Sequence, residues 1–291
     1  MTATLPETTT AAEEVIPGVY DIPEEDYHAD PVPGRSLSST GARKILKCPA
    51  QFRHEQLNPP APKREFDLGT AAHKLVLGSG PELVVVDAAD WRTKAAREKR
   101  DAAYDSGATP LLRHEFEQVR AMAEQVRRHP IASQLFNPET GDPEQTLIWQ
   151  DRQTGIWRRA RLDWLPTIGP GRLIVGDLKT TKSAHPDAIQ RSVFEYGYHQ
   201  QAAWYVDGVR ELGLADQAAM LFVFQEKTPP YLITVVELDQ VSLRLGRERN
   251  RQAIHTYAHC VETGHWPGYT DDIALIRLPA WVENAYLREL S

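Results

Sequence analysis

Cysteine is nearly absent from this chain of 291 residues: Cys48 and Cys260 are its only two. Two thiols cannot build a disulfide scaffold, a four-cysteine zinc site or a cysteine-ligated iron–sulfur cluster. No apolar run approaches the ~20 residues that span a bilayer. The opening MTATLPETTTAAEEVIPG has neither the basic start nor the apolar stretch of a secretory signal, and the expected location is cytoplasmic. Gly-x-Ser-x-Gly and the Walker P-loop are both missing, so no nucleophilic elbow and no built-in ATP motor is expected. Positive charge is not in excess either: 33 Lys and Arg against 40 Asp and Glu leave −7. That excludes a broad cationic coat for nucleic acid. It leaves room for an enzyme whose acidic metal ligands lower the net charge while a local basic groove holds a backbone.

What is present is enough for a sizeable core, with 41% hydrophobic and 25% charged residues. Residues 1–16 read as a disordered lead. From Ser38 the cluster Ser38-Ser39-Thr40 offers N-caps, and Ala42, Ile45 and Leu46 recur at helical spacing until Pro49. FDLGTAAHKLVLG reads as another helix. Phe116, Val119, Met122 and Val126 mark an amphipathic helix that stops at Pro130. From Glu144 the texture turns to strands: QTLIWQ (145–150), GIWRRARLDWL (155–165) and GRLIVGDLKT (171–180). A helix from Pro186, interrupted at Gly197, runs through Tyr205. Strands 219–227 and 231–238 and a helix over 239–262 follow. The order predicts an α/β layer fold around one mixed β-sheet. Residues 17–140 form a mainly helical part carrying His73, 141–265 an αβ core, and 266–291 a tail.

Reactive side chains concentrate at 163–179. Asp177 and Lys179, two apart on a strand, face the same side, and a hairpin with strand 155–165 brings Asp163 close. Two carboxylates and an ammonium suit a hard divalent cation and phosphodiester hydrolysis; a surface ion pair at a strand end is the plainer alternative. Gln201 and Tyr205, four apart, share a helix face with Tyr198 and Phe194. His73 sits in an apolar helix, where a packed core histidine is the ordinary case. Glu144 opens the first strand and reads equally as an exposed carboxylate. Arg159 and Arg161 share the face of Asp163 by the two-residue period, either to clamp phosphates or to compensate the carboxylates. The basic segment from Lys94 to Arg100 reads as a solvated helix face or an arm on DNA.

In order, His73 in GTAAH, Glu144 in EQTLIWQ, Asp163 in RARLDWLP, Asp177 and Lys179 in GDLKTT, and Gln201 with Tyr205 in YGYHQQAAWY resemble the RecB-like branch of the PD-(D/E)xK nucleases. LSSTGARKILKCPAQFR (37–53) is similar to that branch's opening helix. Within the branch, the match resembles the RecE-type, exodeoxyribonuclease VIII-like nucleases of phages and prophages, over roughly residues 20–265. The resemblance implies a restriction-endonuclease-like core with an N-terminal helical elaboration. It implies that His73, Asp163, Asp177 and the main-chain carbonyl of Leu178 ligate Mg²⁺ or Mn²⁺, with two ions during catalysis. Lys179 would hold or activate the attacking water, Gln201 and Tyr205 would position the scissile phosphate or order the lysine, and Glu144 would be an outer ligand. The cluster cysteines of some RecB-like relatives are missing, so an iron–sulfur version is not expected. The implied activity is an exonuclease on ends of double-stranded DNA, leaving single-stranded tails for an annealing or recombination protein, in a possible ring-shaped homo-oligomer. A structure-selective endonuclease, or a non-catalytic module binding DNA ends or a partner, is the alternative.

Overall fold

The computed structural model describes residues 15–58 and 67–289; most of the expected lead segment, residues 1–14, lies outside them. The N-terminal part runs β1 (Gly18–Tyr20), α1 (Glu24–Ala29), β2 (Leu37–Ser38), α2 (Ser39–Lys47), α3 (Pro49–Leu57) and α4 (Asp67–Leu77). Then come β3 (Leu83–Val86), α5 (Lys94–Asp105), β4 (Thr109–Leu112), α6 (Arg113–Arg128) and α7 (Ala132–Leu135). The second part holds β5 (Gly141–Gln150), β6 (Trp157–Pro166), β7 (Leu173–Thr181), α8 (Pro186–Glu195), α9 (Tyr198–Glu211), β8 (Ala218–Glu226), β9 (Ile233–Glu237), α10 (Gln240–Thr263) and α11 (Ala280–Glu289).

Local chemistry sets several of these boundaries. Ser38 caps α2, its hydroxyl accepting from the Gly41 amide at 3.0 Å. Pro186 starts α8 at a position where no amide is needed. Gly197, at φ 67°, makes the left-handed turn that separates α8 from α9.

The main sheet is mixed, in the order β1-β5-β6-β7-β8-β9, with β2 paired to β6. Strands β5, β6 and β7 form an antiparallel meander, whereas β8 runs parallel to β7. A parallel neighbour needs a crossover, which α8 and α9 supply. Strands β3 and β4 form a separate parallel pair. The expected order of three strands, helix, two strands, helix is observed from β5 onward. The expectation for the N-terminal part missed β1 to β4, and the tail adds α11.

Two cores sandwich the sheet. On one face Leu147, Trp149, Leu162, Val175, Trp204, Phe222, Phe224 and Tyr257 pack with α2, α9 and α10. On the other, Leu178, Val223 and Trp164 pack with Leu77, Val126 and Phe136. Helix α9 has ten of its residues buried, from His199 to Val209, so it is an internal crossover rather than a surface helix. It meets α10 at Gly246, where a Cβ would stand 2.2 Å from the His199 carbonyl oxygen.

The sheet also carries a local break that shapes the site. Leu162 packs in the first core and Trp164, two residues on, in the second. Strand alternation therefore fails at Asp163. Across the β5–β6 ladder, Pro143↔Trp164 and Gln145↔Leu162 are paired, which places Glu144 opposite Asp163 at the interruption. Glu144 has φ 56°. Backbone strain of this kind in a non-glycine residue costs about 1–3 kcal/mol and is concentrated at functional sites.

Candidate metal-dependent nuclease site

Five elements bring the reactive side chains together. α4 presents His73, β5 Glu144, β6 Asp163, and β7 Asp177, Leu178 and Lys179; α9 reaches in with Gln201. His73 Nε2 lies 2.8 Å from the Leu178 carbonyl oxygen, and since that oxygen can only accept, Nε2 carries the proton. The Leu178 amide donates to Asp163 Oδ2 at 2.8 Å, and His73 Nδ1 stands 3.7 Å from the same carboxylate oxygen. The β7 backbone thus ties His73 and Asp163 into one unit.

Asp177 is fully enclosed. Gln201 Nε2 donates to its Oδ1 at 2.7 Å, and the Lys179 ammonium stands 2.6 Å from Oδ2. The buried amide of Gln201 therefore has its partner. Burial, followed by the charge of Asp163, pushes the Asp177 carboxyl up to about 6, against the opposing pull of Lys179. Burial and then Asp163 likewise raise Glu144, against the pull of Arg161. For Lys179, burial favours the neutral amine, but the charges of Asp177 and Asp163 outweigh it and its pKa is raised. Burial raises the Tyr205 hydroxyl well above its ordinary value, so it is a neutral phenol beside Gln201.

The donor set fits a hard divalent cation. His73, Glu144 and Asp163, all half-buried, each offer a ligand atom, and these atoms lie within 4.8 Å of one another. Two ligands of one ion at about 2.1 Å stand roughly 3.0 to 4.2 Å apart, so these groups are gathered at the scale that one ion requires. Burial raises the Glu144 and Asp177 carboxyls first, and the further push from the charge of Asp163 is a negative surplus that a cation would relieve.

This grouping differs from the expected ligand set. Glu144, expected as an outer ligand, is one of the three clustered groups. Asp177, expected as a direct ligand, points its oxygens at Lys179 and Gln201. Asp163, Asp177 and Lys179 lie within their strands rather than at the strand ends. The two arginines are committed inside the protein. Arg159 Nη1 contacts Asp30 Oδ2 at 2.8 Å and the Ser36 hydroxyl at 2.6 Å. Arg161 Nε donates to Glu144 Oε2 at 2.7 Å, and its Nη1 to the Ile22 carbonyl at 2.8 Å. Arg161 thus pairs with a carboxylate of the site, whereas Arg159 pairs with Asp30, which neither reading named. The break at Asp163 also removes the simple two-residue argument that set them beside it. The Lys94–Arg100 segment is α5; Lys94 pairs with Glu98 at 3.7 Å and Arg100 with Asp101 at 2.9 Å.

Several groups at the site were not singled out from sequence. Asp30 closes the Arg159 network, accepting from the Ser36 amide at 2.8 Å. The Tyr27 ring lies 5.2 Å from the Arg159 guanidinium carbon. Arg43 of α2 approaches the α8–α9 turn, its Nη1 3.4 Å from the Gly197 carbonyl, and feels the charge of Asp177. The Lys179 ammonium lies 5.3 Å from the Tyr198 ring centroid. Only Tyr198 had a signal in the sequence, its helical spacing with Gln201 and Tyr205.

No curated protein matches the chain in sequence. Among solved structures, the crystal structure of a "putative exonuclease" from Eubacterium rectale superposes with a TM-score of 0.60 at 13% identity. The alignment covers 91% of this chain and 98% of that one, a likeness of fold. The crystal structure of SSO0001 aligns at 16% identity over 69% of this chain and 85% of that one, with a TM-score of 0.29, too low to carry weight. Residues 38–279 match the family model described as "PDDEXK-like domain of unknown function (DUF3799)", and the chain belongs to that family of PDDEXK-like domains, whose name and fold support a nuclease that acts with a divalent metal.

Proposed function

We propose that this protein is a Mg²⁺- or Mn²⁺-dependent exonuclease that hydrolyses one strand of linear double-stranded DNA from an end. The single-stranded tail it leaves would serve an annealing or recombination protein. The observation that carries the reading is the convergence of His73, Glu144 and Asp163 with the Asp177–Lys179–Gln201 chain at one break in the sheet. His73, Glu144 and Asp163 would hold a divalent cation, which would supply positive charge for a phosphate oxygen and lower the pKa of the attacking water. The water oxygen forms the new bond to phosphorus as its proton passes to solvent, and the bond from phosphorus to one neighbouring sugar oxygen breaks as that oxygen takes up a proton from solvent, with no covalent enzyme intermediate.

The protein's own groups have separable tasks. Lys179 is held protonated by Asp177 and Asp163, so it orients water and stabilises charge rather than accepting a proton. Gln201 fixes the Asp177 carboxylate, and through it the lysine. Tyr205 stays a neutral donor next to Gln201.

The test is digestion of end-labelled linear duplex beside covalently closed circles, with Mg²⁺, Mn²⁺ or EDTA. Lys179→Ala and Asp177→Asn proteins run in parallel. Loss of linear DNA alone, dependent on metal and absent in both variants, supports the exonuclease. Cutting of circles makes it an endonuclease, and intact substrates under both metals refute the catalytic assignment.

A further inference from the structure

Outside the C-terminal segment, large exposed aromatic rings are scarce. Among the described residues before Tyr269, the exposed Phe, Tyr and Trp side chains are Phe194, 78% exposed, and Tyr196, 55% exposed. They are two residues apart at the α8–α9 junction, and Tyr196 adjoins a ring that reaches the site. Tyr196 contacts the Tyr198 ring at 5.8 Å, and Tyr198 in turn lies 5.3 Å from the Lys179 ammonium. The Tyr196 ring centroid is therefore within about 11 Å of that ammonium, the length of roughly three to four stacked nucleotides at about 3.4 Å each.

The junction is held from below. Tyr198 packs on Phe222 at 5.6 Å and on Phe224 at 5.8 Å, so a file of aromatic rings leads from the core to the surface. Gly197 turns the chain at φ 67° against Arg43, leaving no room for a Cβ, which would stand 2.5 Å from Arg43 Cδ. Arg191 is exposed one turn before Phe194, and exposed Lys182 follows β7; neither has an ion pair among the described residues. Flat apolar faces with an unpaired cation one turn away on α8 match a nucleic-acid strand whose bases are free to stack and whose phosphates need counter-charge. Base pairs inside a duplex, closed to an incoming ring, would not use such faces.

We propose that Phe194 and Tyr196 form a stacking platform for an unpaired nucleobase next to the scissile phosphate, with Arg191 and Lys182 taking the adjoining backbone. The substrate class at this subsite is single-stranded or frayed-end DNA, of any sequence, since every base has a stacking face. This inference rests on the nuclease reading for its placement beside a scissile bond. Its stacking component is testable without catalysis.

In the kinetic arm, the Phe194→Ala/Tyr196→Ala protein should show KM on linear duplex raised roughly tenfold. Its kcat should stay within about twofold, with an unchanged melting temperature, and Phe194→Tyr/Tyr196→Phe should restore KM. An abasic nucleotide near the labelled end, scanned position by position, should cost the wild type the same factor at one position and cost the double-Ala protein nothing. Equal abasic penalties in both proteins, or an unchanged KM, would overturn the platform. The second arm is equilibrium binding of a single-stranded oligonucleotide carrying 2-aminopurine to each protein in EDTA and to Lys179→Ala in Mg²⁺. Quenching that depends on Phe194 and Tyr196 supports stacking even if the wild type cleaves nothing, an outcome that would sink the nuclease reading alone. Quenching that is absent throughout, or identical in the double-Ala protein, sinks the platform.

Discussion

Asp177 is wholly enclosed, yet it is one half of an ion pair with Lys179 and faces a second carboxylate at Asp163. Its carboxyl is raised from 3.8 to about 6, so the folded protein holds a proton that the unfolded chain releases. The stability attached to that proton is fully present below about pH 4 and is lost as the pH rises through about 6. At most this amounts to about 3 kcal/mol for the metal-free protein. Urea denaturation of metal-free wild type at pH 4.5 and 7.5 should show the loss, and Asp177→Asn should flatten it across that window. Glu144 is raised for related reasons, burial and then Asp163, but it belongs to the clustered ligand atoms. Glu144→Gln should therefore weaken Mn²⁺ binding by about tenfold or more in calorimetric titration, and by more than Asp177→Asn does. The reverse order would return Asp177 to the ligand set and make Glu144 an outer group. The sequence showed both carboxylates but not this division. Which of them meets the cation depends on the β5–β6 register and the break at Asp163, and neither leaves a local pattern.

At the scale of elements, legibility follows length and period. The strands over 145–150 and 171–180 were readable because Leu-Ile-Trp and Leu-Ile-Val runs persist long enough to register. β2 has two residues and β1 three, so no period exists to be seen, although β2 brings Ser36 next to Arg159. Helix α9 was readable as a helix through Gln201 and Tyr205, but its burial on all sides shows only once α10 is packed on it. That packing is a backbone-to-backbone approach at Gly246, with the His199 carbonyl in the space a side chain would fill. Gly246→Ala should force α10 away from α9, costing about 2 kcal/mol or more. Because α9 carries Gln201, activity should fall further than lost stability alone accounts for. Denaturation midpoints measured with kcat on the same preparation check both parts. A variant that folds as stably as wild type would show that the two helices slide apart freely.

For the whole molecule, the −7 charge and the internal pairing of Arg159 and Arg161 point the same way. Among the described residues, grip on DNA does not come from a wide cationic face. Among the described residues, the cations on the elements around the site are few: Lys182 and Arg191 exposed, Arg43 half-buried, and Lys179 committed to Asp177. Each phosphate neutralised contributes about −0.9 to the slope of log K against log salt. Two to four such contacts give a slope of about −2 to −4, hence roughly a 10- to 300-fold loss of affinity between 50 and 200 mM salt. A protein gripping six or more phosphates loses about 10³-fold or more over the same range. Fluorescence anisotropy of a short labelled duplex, bound to Lys179→Ala protein in fixed Mg²⁺, measures the slope directly. A steep slope would mean that additional basic surface reaches the DNA, either from residues outside those described or from a second copy of the chain. A shallow one would place most of the specificity for DNA in the cation and its ligands, where the break in the sheet has gathered the negative charge.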